Sequence, residues 1–192
     1  MNLQKKLILI TKVGDVDPEV LFHLTKDLVK HLKLFNLSVE INPKSLELES
    51  NELDLTRKQY KGSQILSRIN DLTRKMDVFR NLGIIEEDIF TSHLNFIFGL
   101  AMKPQMKLIK FPTAALISIV RLREFYGSLS NNEIFRERIL KEALHELGHT
   151  FGLDHCHNYC VMRFSNTLGE TDEKPTRYCP SCDKKISEAL SN

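Results

Sequence analysis

The sequence is short of net charge, of long apolar runs and, over most of its length, of cysteine. Its 27 Lys and Arg residues against 25 Asp and Glu residues leave a formal charge of +2 over 192 residues. No large field is available to gather nucleic acid or a lipid surface, and neither partner is expected. Between Met1 and Gly14 the one continuous apolar run is Leu7 to Ile10. It is too short for a signal-peptide core and far too short to cross a bilayer, so a cytoplasmic protein is expected. No cysteine precedes Cys156, which excludes a disulfide framework from everything upstream. A chain of this length buries about 70% of its unfolded surface, enough for one domain, and a monomer is expected.

What is present reads as strands alternating with helices. Leu7-Ile8-Leu9-Ile10 is a β-favouring run suited to burial on both faces, ended by Gly14-Asp15. Asp17-Pro18-Glu19 supplies an N-cap, a first-turn proline and a first-turn acid, and Leu21, Leu24, Leu28, Leu32 and Phe35 follow at helical steps. His23 and His31 are expected to be ordinary solvated residues of that helix. Leu37 to Ile41 alternates with period two up to Asn42-Pro43, a half-buried strand. Lys44 to Arg57 is charged and aperiodic, a surface connection. A second helix starts near Gly62-Ser63, carries Ile65, Ile69, Leu72, Met76 and Phe79, and ends before Gly83, with Met76 as core filler. Asn95 to Ala101 and Ala114 to Val120 are further strand-like runs. Gly127 and Asn131-Asn132 mark a loop, and Ser130 with Glu133 a capping box. This order predicts a mixed sheet backed by helices.

One stretch carries the chemistry: His145-Glu146-Leu147-Gly148-His149-Thr150-Phe151-Gly152-Leu153-Asp154-His155. On a helix, His145 and His149 lie about 40° apart in azimuth and roughly 6 Å apart along the axis, so both imidazoles can reach one metal. An unbroken helix would carry His155 roughly 240° round from His149, pointing away. The chain must therefore turn, and Gly152, free to adopt the left-handed conformation, is where it can. Three neutral histidines leave a fourth position open, the pattern of a catalytic zinc. Glu146, offset by about 100° from His145, sits beside the metal without binding it and is the candidate general base for the zinc-bound water. Incidental surface histidines are the plainer reading of H-E-x-x-H alone; Gly152 and His155 in register weigh against it. Leu140, Ala143, Leu144, Leu147 and Phe151 line the face of this helix given to the core.

The cysteines follow at once: Cys156, Cys160, Cys179 and Cys182. One short pair followed at a distance by another suits tetrahedral thiolate zinc, each pair biting the same ion. Two close disulfides and a redox-active C-x-x-C are the competing readings, and His157 could replace one thiolate. Few apolar side chains follow Gly152, and a metal staple contributing roughly 10–16 kcal/mol is how so short a segment could fold.

The histidine motif running straight into Cys156, then Cys160-Val161-Met162 and Cys179-x-x-Cys182, resembles the archaemetzincins, a branch of the metzincin metallopeptidases. Weaker echoes lie at Gln59-Tyr60, Asn95-Phe96-x-Phe98-Gly99, Arg121-Leu122, Tyr126-Gly127 and Arg138-x-x-Lys141-Glu142. The Cys156 to Cys160 and Met162 to Cys179 spacings are each one residue shorter than the family pattern. The resemblance implies a metzincin-like α+β fold. A twisted mixed β-sheet with two backing and active-site helices, residues 1–152, forms an upper lobe, and residues 153–192 form a small zinc-stapled C-terminal subdomain, with the substrate cleft between. It casts Met162 as the Met-turn residue beneath the histidines, where the plain reading is another buried methionine. It makes Asn95 to Ala101 the edge strand that pairs with an extended substrate.

Motif and resemblance together predict a zinc-dependent peptidase acting on peptide substrates. Two zinc ions per chain are expected, one catalytic on His145, His149 and His155, one structural on Cys156, Cys160, Cys179 and Cys182. Short peptides cut as by an aminopeptidase come first, an endopeptidase close behind. From a different class, the chain could be a zinc-stabilised peptide-binding module with little turnover; Glu146, which a binding protein does not need, argues against that.

Overall fold

A computed structural model describes residues 6–76, 78–92, 94–104, 109–123 and 132–191. Its backbone is a five-stranded sheet in the order β2-β1-β5-β9-β8, formed by β1 (Lys6–Val13), β2 (Leu37–Ile41), β5 (Arg80–Ile85), β8 (Gly99–Ala101) and β9 (Thr113–Ser118). β2, β1, β5 and β9 run parallel, and β8 closes one edge antiparallel to β9, with Gly99 opposite Ile117. A smaller sheet, β3-β4-β6-β7, is made from β3 (Leu53–Asp54), β4 (Gln59–Lys61), β6 (Ile89–Thr91) and β7 (Leu94–Ile97).

Alternation along the strands sorts side chains into two cores. Ile8, Ile10, Leu82, Ile84, Ala115 and Ile117 face the layer of α1 (Pro18–Leu32) and α3 (Asn132–Thr150). Ala114, Leu116 and Val13 face α2 (Gly62–Met76) through Ile65, Leu66 and Ile69. α1 begins as its sequence dictates: the Asp17 carboxylate accepts the Glu19 amide at 2.9 Å, and Leu21, Leu24, Leu28 and Leu32 are buried. α3 is buried on nearly its whole circumference from Arg138 onward, including Lys141 and Glu142. Two short helices, α4 (Leu168–Glu173) and α5 (Pro180–Ser191), complete the chain. Leu153, Val161, Met162, Leu168, Tyr178 and Ile186 join the same hydrophobic core as the sheet.

The α+β architecture with a mixed sheet is as expected, while several local readings need correction. The run from Asn95 to Ala101 is not one strand: it breaks at Phe98, the first part pairing with β6 and the second with β9. β5, the central strand, hides behind Arg80, Asn81 and Gly83, yet every residue in it is buried. Gly83 lies so close to α2 that a Cβ would sit 2.4 Å from Ile69 Cδ1. Phe79 falls beyond α2, Met76 is exposed, and Lys44 to Arg57 contains a 3-10 turn and β3. His23 and His31 are half-buried. The capping serine Ser130 and the Tyr126-Gly127 echo lie outside the described residues.

Candidate metal centre and active-site cleft

α3 ends in a tight left-handed turn. The Gly152 amide donates to His149 O at 2.9 Å and the Leu153 amide to Gly148 O at 3.1 Å, while Gly152 takes φ +91°. This paired closure needs a residue without Cβ at its hinge. The turn brings His155 back: its ring centroid lies 5.3 Å from that of His145 and 5.0 Å from that of His149. One ligand atom from each of the three histidines lies within 4.8 Å of the others.

Hydrogen bonding fixes the tautomers. His145 Nδ1 meets Val161 O and His149 Nδ1 meets Leu153 O, each at 2.9 Å. A carbonyl can only accept, so both Nδ1 atoms carry the proton and both Nε2 atoms present bare lone pairs. Those two Nε2 atoms are 3.1 Å apart, close to the separation of about 3.3 Å that tetrahedral Zn–N bonds of about 2.05 Å would give. Neither can donate to the other, so the arrangement is repulsive until a cation stands before both. Burial holds His145 well below the usual imidazole range and lowers His149 and His155 as well. All three stay neutral at pH 7, and the donor set fits zinc.

Glu146 points to the cleft from between the two histidines and is buried against β8. A Cβ on residue 99 would lie 2.7 Å from Glu146 Cγ and 2.8 Å from Oε1, so Gly99 is what gives the carboxylate its place. Burial, reinforced by the neighbouring Glu142, pushes the Glu146 carboxyl well above the ordinary range. Behind it lies a pair with no sequence signal beyond the Glu142 echo: Lys174 Nζ donates to Glu142 Oε1 at 2.9 Å and to Ser165 Oγ at 2.9 Å, both charges almost fully buried. The cleft over these groups has a volume of about 260 Å³. Leu94, Phe96 and the β8 residues form one wall and Phe164, half-exposed and 5.0 Å from the His155 ring, forms another.

The four cysteines also converge, each Sγ within 4.8 Å of the others, Cys156 partly exposed and the rest buried. Cys156 Sγ and Cys179 Sγ are 3.8 Å apart, the spacing that tetrahedral Zn–S bonds of about 2.3 Å imply. Amides of Met162 and Cys179 point at Cys160 Sγ, and Asn158 Nδ2 points at Cys179 Sγ, donors suited to thiolates. Against the opposing effect of burial, the Cys179 thiol is lowered to about 6 by hydrogen bonds from the Cys182 amide, Asn158 and the neighbouring thiols, whereas burial pushes Cys160 and Cys182 up. The shortened spacings do not prevent convergence. His157 is exposed and outside the group.

Cys160-Val161-Met162 joins the clusters. Val161 O orients His145, Met162 O accepts the Cys156 amide at 2.9 Å, and Met162 packs beneath α3, where a Cβ on Gly148 would lie 2.3 Å from Met162 Sδ. Tyr178 Oη donates to Leu144 O at 2.6 Å, pinning the same segment to the helix.

Comparison with known proteins gives one answer. Residues 7–188 match the model of peptidase family M54. The archaemetzincin of Pyrococcus furiosus is 37% identical over 97% of this chain and 95% of its own length, and that of Methanocaldococcus jannaschii 40% identical over 94% and 93%. Among solved structures, the Methanopyrus kandleri archaemetzincin superposes with a TM-score of 0.81 at 28% identity, covering 99% of this chain and 98% of that one. The Archaeoglobus fulgidus archaemetzincin, complexed with malonate, gives 0.75 at 32% identity, covering 93% and 99%. None of the described helices is long and apolar enough to cross a membrane. The chain belongs to peptidase family M54, the archaemetzincins, and is a zinc metallopeptidase.

Proposed function

We propose that the chain hydrolyses short peptides in the cytoplasm, as a monomer, from the cleft between residues 1–152 and 153–192. It holds two zinc ions, a catalytic one on His145, His149 and His155 and a structural one on the four cysteines. The observation that carries this is the pair of bare Nε2 atoms facing each other at 3.1 Å. When bound there, zinc supplies a Lewis acid that polarises the scissile carbonyl and acidifies the attacking water. Glu146 takes the proton from that water and returns it to the leaving amine, a task suited to a carboxyl whose proton affinity burial raises. Val161 O and Leu153 O keep His145 and His149 in the one tautomer that leaves Nε2 free. Met162 packs under Gly148 as the Met-turn residue.

The free side of β8 offers unpaired backbone groups to an extended peptide. Its walls are apolar, and the charges on its floor are already committed, Glu142 to Lys174, so an uncharged substrate side chain is favoured there. Lys103, beyond β8, pairs with Asp154, the residue before His155.

The test compares wild type with Glu146→Gln on a peptide library, with N-acetylated copies of each peptide. The substitution should cut hydrolysis about 10²–10⁴-fold with zinc content unchanged. Turnover that survives it refutes the assigned base, and equal cleavage of acetylated and free-amine peptides refutes the aminopeptidase-like specificity.

A further inference from the structure

We infer that Arg80 is a positioning residue for the histidine cluster: from the central strand it holds the last carbonyl of the active-site helix and thereby sets the turn that places His149 and His155. The inference rests on the reading that these histidines hold a metal. Arg80 is completely buried at the start of β5. Its guanidinium donates to Phe79 O at 2.6 Å, Ile109 O at 2.6 Å, Phe111 O at 3.0 Å and Thr150 O at 2.9 Å. It lies 3.7 Å from the Phe79 ring centroid and 5.7 Å from that of Phe151, and those two rings stack at 6.3 Å.

Among the described residues no carboxylate pairs with this cation, and its Nε has no acceptor. Burial lowers its pKa to about 9. A buried charge met only by neutral carbonyls is costly, and it is held there by the four carbonyls that would otherwise lack a donor. What these bonds fix is the geometry of the helix end. The other carbonyls at the end of α3 are taken locally: Leu147 O by the Phe151 amide and the Thr150 hydroxyl, Gly148 O by Leu153, His149 O by Gly152. Thr150 O alone is held from outside, by Arg80, and the cation stands at the negative end of the helix dipole. The chain from guanidinium to metal site is short: Thr150 O fixes the helix end, the turn over Phe151 and Gly152 follows, and the Leu153 carbonyl it delivers orients His149.

The experiment loads full-length wild type, Arg80→Met and Arg80→Lys with cobalt(II). It reads chelator-competition affinity at the histidine site, the d–d absorption band, amide exchange at Gly152 and Leu153, and melting temperature. Arg80→Met should lose about tenfold in affinity, the size typical of disturbing a group behind a metal ligand. Its band should shift and its two amides exchange faster, and its melting temperature should fall, because the carbonyls held by Arg80 lose their donor. Arg80→Lys, which keeps a cation that reaches fewer carbonyls at once, should recover part of the affinity. Wild-type affinity, band and exchange in whichever variant folds overturn the inference, whatever the melting temperature does. Absence of a cobalt band in wild type itself would instead sink the metal assignment on which it rests.

Discussion

The histidine and cysteine clusters are adjacent in sequence, His155 next to Cys156, and opposite in construction. The histidine cluster stands on a buried helix and a glycine turn, its donors aimed into an open cleft and its outer ring nitrogens tied to backbone carbonyls. The cysteine cluster gathers loop positions and the first turn of α5, three of its four thiols out of solvent and ringed by N–H donors. A framework that exists without the ion can exchange it and work with it. A framework made of loops depends more on whatever it binds, so on the proposed reading the same metal would serve reactivity in one place and folding in the other.

The sharpest way to break this contrast is to remove one cluster at a time. Cys160→Ser should abolish the second zinc and release the loop through Met162, taking away Val161 O from His145 and the support under Gly148. The loss is comparable to the roughly 5–15 kcal/mol by which a whole domain is stable, and both ions and hydrolysis should go together. His145→Ala should lose one ion and hydrolysis while far-UV circular dichroism stays close to wild type. In wild type, a chelator titration following released zinc, hydrolysis and dichroism should show the histidine ion leaving first. Simultaneous release, or an ordered loop in the Cys160→Ser protein, would mean that the cysteine cluster is no staple.

A smaller effect comes from two glycines on opposite sides of α3. Gly148→Ala drives a Cβ toward Met162 Sδ, 2.3 Å away, and toward Tyr178 Cε1 at 3.1 Å. Both neighbours are buried, so overpacking should cost about 1–3 kcal/mol and appear as a lowered melting temperature. Gly99→Ala meets Glu146 Cγ at 2.7 Å instead. There the carboxylate must shift within the cleft, so kcat should fall while the melting temperature changes little. Equal effects of the two substitutions on stability would show that the cleft side of α3 is packed as rigidly as the side against Met162.

The sequence disclosed the site better than the fold around it. Histidines at four- and six-residue spacing with a glycine hinge between the last two state their own geometry, and α1 and the first two strands carry ordinary caps and periodicity. β5 was illegible because its first residues, Arg80 and Asn81, look like loop. Their burial is explained only by carbonyls from Ile109, Phe111 and Thr150 and by the hydroxyl of Thr11, all distant in sequence. The Asn95 to Ala101 run concealed its break because both halves are apolar and only their partners differ. Lys174 gave no sign for the same reason: its role exists only opposite Glu142. The tail after Gly152 looked too polar to fold without metal, yet Leu153, Val161, Met162, Leu168 and Ile186 are placed to enter the main core.

The smallest expected effect is the pH dependence of the metal-free chain, and it separates the clusters by sign. Burial depresses the three histidines, so below the unfolded value of about 6.5 the unfolded chain binds protons that the folded one refuses. Their contribution to stability should then fall as pH drops from about 7 toward 5, while the raised carboxyl of Glu146 works in the opposite sense. Cys179, lowered to about 6, adds to this acid limb, since it too loses its advantage as pH falls through that value. Cys160, Cys182 and Tyr178 are raised by burial. Above the unfolded thiol value of about 8.5 the unfolded chain sheds protons that the folded one keeps, and stability should fall again. Urea midpoints measured from pH 5 to pH 10 on zinc-free protein under reducing conditions should trace a maximum between these limbs. His145→Ala should flatten the acid limb and leave the alkaline one, and Cys182→Ser should do the reverse. If either substitution moves both limbs alike, the two clusters titrate as one unit through Cys160-Val161-Met162, and their separation into a working site and a folding site holds only for the metal-bound protein.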